Sequence, residues 1–245
     1  MDYWRREQLG VSAGIATVAL FGAGAIVAAM QFPAISASNQ EISAFLADHR
    51  TRLLTQAFLG GLGLTAGLWF LGSLRSVLRR AEGGTGRVAG IAYGAGITGL
   101  VMIGVAELLA ASAVYSAGLN DAAITSGMFR LTQVAFAFVG FPMMVVLSAT
   151  GLLALRTGVL PRAFAALTVI PIAANAVGVW SIFVDGGSFA PGGSVSYLAP
   201  LTATLLWVLA ASGMLTVKLG QPVETVVARR RISDVVVEPP RAAER

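Results

Sequence analysis

Six runs free of charged residues divide the chain: 9–30, 53–74, 88–106, 131–155, 163–184 and 198–217. Each is about 20 residues long, which at about 1.5 Å per helical residue crosses a hydrocarbon core of roughly 30 Å. Period-2 alternation is absent and open sheet edges cannot face lipid, so these runs predict helices. The third run continues past Glu107, because Leu108 to Val114 stays apolar and nothing breaks a helix before about Ala117. The expected fold is an all-α bundle of six transmembrane helices over residues 1–217, with spans at 9–30, 53–74, 88–117, 131–155, 163–184 and 198–217. A basic, disordered cytoplasmic tail at 218–245 completes the expected organisation.

Composition points to the same solvent. Charged residues make up 12% of the 245 and hydrophobic residues 56%, where a soluble domain carries about 25% charged. The mean hydropathy is +0.77. Water is therefore not the medium for most of this surface. With an even number of spans, fourteen of the 17 Lys and Arg fall on one side, and only Arg50, Arg52 and Arg130 on the other. Short loops biased this strongly mark the cytoplasmic side, so both termini are expected there. The formal charge of +5 belongs to that topology and not to nucleic-acid binding, since the basic residues flank apolar spans. The first span could also be read as a signal peptide, but its apolar run exceeds the 7 to 15 residues of an h-region.

Local signals refine this picture. Ser38 and Glu41 have capping-box spacing, so a helix should begin near Asn39 and, with Ile42, Phe45, Leu46 and Leu53 at helical spacing, either run straight into the second span or lie along the interface before turning in. Pro142 and Pro171 lie inside spans four and five and should kink them. Residues 185–194, Asp-Gly-Gly-Ser-Phe-Ala-Pro-Gly-Gly-Ser, read as a mobile outer loop.

Several chemistries are closed. There is no cysteine, hence no disulfide, thiolate metal site or cysteine nucleophile. Gly94-Ala-Gly-Ile-Thr-Gly99 matches the dinucleotide-binding pattern, with Asp121 near the expected distance, but no strand precedes it and it lies inside an apolar span. Gly86, Gly90, Gly94 and Thr98 instead form a four-residue repeat that predicts a smooth helix-packing stripe, as do Gly10 with Gly14 and Gly63 with Gly67. His49, the only histidine, stands between Asp48 and Arg50 without further ligand candidates and reads as an exposed loop residue. Arg230-Arg231-Ile-Ser233 resembles a basophilic kinase site, and reads more simply as a basic flank worth about 1 kcal/mol per base against anionic lipid. No cofactor, metal or catalytic constellation is expected.

Glu107 is the most informative position, the one ionisable group inside an apolar span. Left unpaired at mid-bilayer it would cost about 2.5 to 3.5 kcal/mol. Two readings follow: a structural pair with Arg130, Arg50 or Arg52, or a site for a transported ligand or proton. Gln133 and Asn175 are the other polar candidates for the interior, so the candidate buried polar site is Glu107, Arg130, Gln133 and Asn175.

The segments Glu41-Ile-Ser-Ala-Phe-Leu-Ala-Asp-His-Arg50, Leu74-Arg-Ser-Val-Leu-Arg-Arg-Ala-Glu-Gly-Gly84 and Leu155-Arg-Thr-Gly-Val-Leu-Pro-Arg162, in this order, resemble uncharacterised six-helix membrane proteins of actinobacteria, domains of unknown function. The resemblance covers spans one to six. It implies a multi-pass protein of a bacterial inner membrane and carries over no site residues. The expected function is a non-enzymatic partner or accessory subunit, in contact with lipid and with a membrane-protein partner or a second copy. The alternative is a small transporter or permease-like protein using Glu107.

Overall fold

A computed structural model describes residues 3–119 and 121–219, and among them every regular element is helical. Nine α-helices follow in order: α1 (Tyr3–Val27), α2 (Asn39–Asp48), α3 (Arg50–Glu82), α4 (Arg87–Ala117), α5 (Ala122–Phe138), α6 (Gly140–Thr157), α7 (Arg162–Leu167), α8 (Val169–Trp180) and α9 (Ser194–Leu219). With α5 and α6 taken as one rod, and α7 and α8 as another, five helical segments are long and apolar enough to cross a membrane. A shorter apolar stretch of α1, Ser12–Val27, packs beside them. The tail expected from 218, with Arg230, Arg231 and Ser233, lies outside the described residues beyond Leu219.

The prolines account for the two broken rods. Proline at position i cannot donate to the carbonyl four residues back, and its ring collides with that group. For Pro142 the carbonyl belongs to Phe138 and for Pro171 to Leu167, which are the last residues of α5 and α7. The expected kinks are therefore breaks, each spanned by a single residue, Val139 or Thr168. At the second break, Thr168 donates through Oγ1 to the Phe164 carbonyl (3.0 Å) and accepts from the Trp207 indole (3.0 Å). The fourth rod also starts earlier than 131, because the Asp121 carboxylate accepts from Ala123 and Ile124 and caps α5.

At the other predicted start, Ser38 accepts from the Glu41 N–H (3.2 Å) and α2 begins at Asn39, as expected. It does not run unbroken into the second span. His49 separates α2 from α3, with its ring nitrogen Nδ1 2.9 Å from the Phe45 carbonyl and its imidazole stacked on Phe45. The only histidine is thus a half-buried junction residue rather than a loose loop residue.

Close helix packing uses different glycines from those the repeat suggested. Gly90, Gly94 and Thr98 are exposed, and a Cβ added at Gly90 or Gly94 would meet nothing within 4 Å. A residue four positions along lies on the same face, but the face of α4 that reaches its neighbours is offset: Gly96 sits against Leu71, and Gly99 against Met143 and Pro142. Gly10 and Gly14 do pack, against Ser73 and against Ser212 with Phe70, and Gly63 and Gly67 pack against Phe21 and Leu100.

Two apolar clusters hold the bundle together. The larger, at the arginine-rich end, joins Phe70, Leu74, Leu78, Ala92, Leu147, Leu153, Phe164, Trp207 and Leu215 from five helices. The smaller, at the opposite end, joins Ile42, Leu46, Leu53, Val114 and Phe129. In the layer between them on α4, after Ala92 and before Ala113, stands the buried Glu107.

Candidate functional site

Glu107 lies twenty residues into α4 and ten before its end, about 30 Å and about 15 Å along the axis. It is 8% exposed. Room for it is made on α3, where Gly60 faces it: a Cβ there would lie 2.8 Å from Oε1. One helical turn earlier on the same face, Gln56 brings its amide toward the carboxyl. The other oxygen, Oε2, is buried without a hydrogen-bond partner. Buried polar atoms are nearly always satisfied, so an orphan carboxyl oxygen in this layer calls for an explanation in ligand, water or proton.

The expected arginine partners are elsewhere. Arg130 donates through Nε to the Ile35 carbonyl and through Nη2 to the Ala37 carbonyl, both at 3.0 Å, and so clamps the α1–α2 connection onto α5. Beside it, Ser126 donates to Asn39 Oδ1 at 2.7 Å and fastens α2 to the same helix. Arg50 lies 4.7 Å over the Tyr115 ring, and Arg52 is exposed. Of the four residues expected to form one polar site, Arg130 therefore belongs to a separate structural clamp.

Glu107, Gln133 and Asn175 do come together, in the lining of one cavity of about 170 Å³. Gln133 reaches it from α5, with Gly192 of the connection before α9 lying against its amide, so that a side chain at Gly192 would displace that amide. Asn175 projects from α8 and donates to the Pro171 carbonyl (2.8 Å) and to Thr204 Oγ1 on α9 (3.0 Å). The helix irregularities border the same space. Gly140 leaves room for Asn175 and Val179, and Gly178 for the ring of Pro200, a proline inside α9.

Residues 185–193 are irregular as expected, but they are folded against the cavity rather than extended away from it. The Ala190 N–H donates to the Gly187 carbonyl, the Val195 and Ser196 N–H groups to the Ser188 carbonyl, and the Ser196 hydroxyl to the Ala190 and Gly193 carbonyls. Tyr197 follows, edge-on to Phe136 at 5.6 Å. A second, smaller cavity of about 50 Å³ lies toward Phe32, Leu46 and Leu53, and shares Gln133, Phe136, Gly192 and Tyr197 with the first.

Comparison with protein-family models, with characterised proteins and with solved structures finds no match. The functional reading therefore rests on this geometry alone. Gln56, Gly60, Gly192 and Tyr197 belong to the site and were not among the expected residues. The i, i+4 pair of Gln56 and Gly60, a polar and a small residue on one face of an apolar span, is the signal that could have found them.

Proposed function

We propose that this chain is a six-span protein of a bacterial inner membrane, with both termini on the cytoplasmic, arginine-rich side, and that it is transporter- or permease-like, taking a small solute into its interior cavity at Glu107. The orientation is supported by the lopsided placement of basic residues. The functional reading is carried by one observation: the buried Glu107 lines a cavity and has one carboxyl oxygen unsatisfied, while Arg130 is engaged at another site. A purely structural acid would be closed by a partner, because an uncompensated buried charge is strongly destabilising. Ionisable groups inside membrane bundles that face a cavity mark pathways by default.

A second reading, the accessory subunit, draws on the exposed Gly90, Gly94 and Thr98 face of α4, which suits the close approach of a helix from another chain or a second copy.

The cysteine-free chain allows a direct test. Single cysteines at Gln133 and Leu201, both cavity-lining, should react with a charged thiosulfonate reagent applied to oriented vesicles, while a cysteine at Ala154 in the sealed core should not. Failure of both cavity positions to react from either side would overturn the reading.

A further inference from the structure

The shape and lining of the cavity specify more than that a solute enters. Along α4 its lining runs from Gly96 to Glu107, about 16 Å at about 1.5 Å per residue, and along α9 from Ser196 to Val208, a similar length. The space is therefore a slot parallel to the helices. Its polar groups are unevenly spread: Glu107, Gln133, Ser196 and Tyr197 line one end, Asn175 and Thr204 lie further along and are bonded to each other, and Phe70, Leu71, Leu147 and Trp207 line the other end. Among the lining residues Glu107 is the sole carboxylic acid, and none is Lys, Arg or His.

These facts exclude and select. An anionic solute would find no cation in the wall and a carboxyl against it. A strongly hydrated inorganic cation would find too few oxygens at one point and an apolar surface along the rest. A solute with a protonated amine at one end and a slim apolar body fits both halves: its N–H donors meet the Glu107 carboxyl and the Gln133 amide oxygen, and its body lies along the apolar slot. The volume, close to that of an engineered cavity of about 150 Å³ that holds benzene, limits the body to a short chain or a single ring.

Resting on the transporter-like reading above, we infer that the ligand of this site is a small lipophilic amine, bound with its ammonium at Glu107 and its apolar end toward Trp207. The smaller cavity beyond Gln133, Phe136, Gly192 and Tyr197 then lies on the amine's route to the outer face, and those four residues form the partition it crosses.

Trp207 supplies the readout. It is 6% exposed at the apolar end of the slot, whereas Trp69 and Trp180 are 70% and 66% exposed on the bundle surface. In a chain with Trp4, Trp69 and Trp180 changed to Phe, ω-bromo-octylamine should quench Trp207 saturably. The matching bromo-alcohol should bind about tenfold or more weakly, and the bromo-octanoate not at all, as loss of a charge-assisted hydrogen bond requires. Glu107→Gln should erase the preference for amine over alcohol. Equal binding of amine and carboxylate, an unchanged preference in Glu107→Gln, or no saturable quenching by any probe would each overturn the inference. The labelling of cysteines at Gln133 and Leu201 separates the two levels: where they react and the amine does not bind, the ligand class alone is wrong, and where they are silent the transporter reading falls as well.

Discussion

Gly60 and Gly61 are neighbours in α3 and offer a matched pair for testing whether Glu107 sits where the site requires. Alanine gains the same intrinsic helix preference over glycine at either position, about 1 kcal/mol, so this contribution cancels in the comparison. The surroundings differ. A Cβ at Gly61 meets nothing within 4 Å, whereas one at Gly60 lies 2.8 Å from Oε1 and 3.1 Å from Cδ of Glu107, where ordinary contact begins at 3.4 Å. The carboxyl is the mobile end of its side chain and must swing away from Gly60 and from the Gln56 amide beside it. Crowding of this kind costs about 1 to 3 kcal/mol. Gly60→Ala should therefore be less stable than Gly61→Ala by about 1 to 3 kcal/mol. At about 2 to 4 °C per kcal/mol for a chain of this size, the gap is readable by thermal unfolding in detergent. In a Glu107→Ala background the two alanines should become equivalent. Equal stability in the wild-type background, or a gap that survives removal of Glu107, would refute the placement.

Three further outcomes follow from the packing and the clamps. Gly90→Leu should leave thermal stability in detergent nearly unchanged, whereas Gly140→Ala should lower it by about 1 to 3 kcal/mol, because its Cβ meets Val179 at 2.6 Å and the Asn175 backbone carbonyl at 2.9 Å. Arg130→Gln should loosen the α1–α2 connection, seen as faster hydrogen exchange around Ile35 and Ala37, and should show no coupling to Glu107→Gln in a double-mutant cycle. Glu82, at the arginine-rich end beyond the predicted span, accepts from the Ala89 and Val88 N–H groups, and these bonds hold its carboxyl below the usual carboxylate range. Its contribution is thus fully present above the unfolded value near 4.3 and is lost as pH falls through the folded one. Unfolding curves between neutral and acid pH should show this loss in the wild type and lack it in Glu82→Gln.

The helical character and the apolar segments were legible because long uncharged runs leave few alternatives in lipid. Ser38, Asp121 and the two in-span prolines act within a few residues of themselves, so their effects on helix ends could be anticipated or explained locally. The face each helix presents to its neighbours was not legible in α4. Gly90 and Gly94 recur as regularly as a packing stripe, yet a uniformly apolar helix carries no amphipathic signal to say which side meets protein and which meets lipid. The site was half legible for a related reason. Glu107, Gln133 and Asn175 stood out as polar residues in apolar runs, and they do share a cavity. Arg130 was misassigned because charge complementarity suggests a pair, whereas two carbonyls of the α1–α2 connection, more than ninety residues away in sequence, already occupy its guanidinium. Such carbonyls carry no sequence signature at all.

In the proposed function the Glu107 carboxyl itself receives the solute. Difference infrared spectroscopy in the carboxyl region, recorded on adding octylamine to the reconstituted protein, tests it most directly. A carboxyl band should change on addition, saturate with amine concentration and be missing from Glu107→Gln. An amine-induced spectrum that is identical in wild type and Glu107→Gln would contradict it.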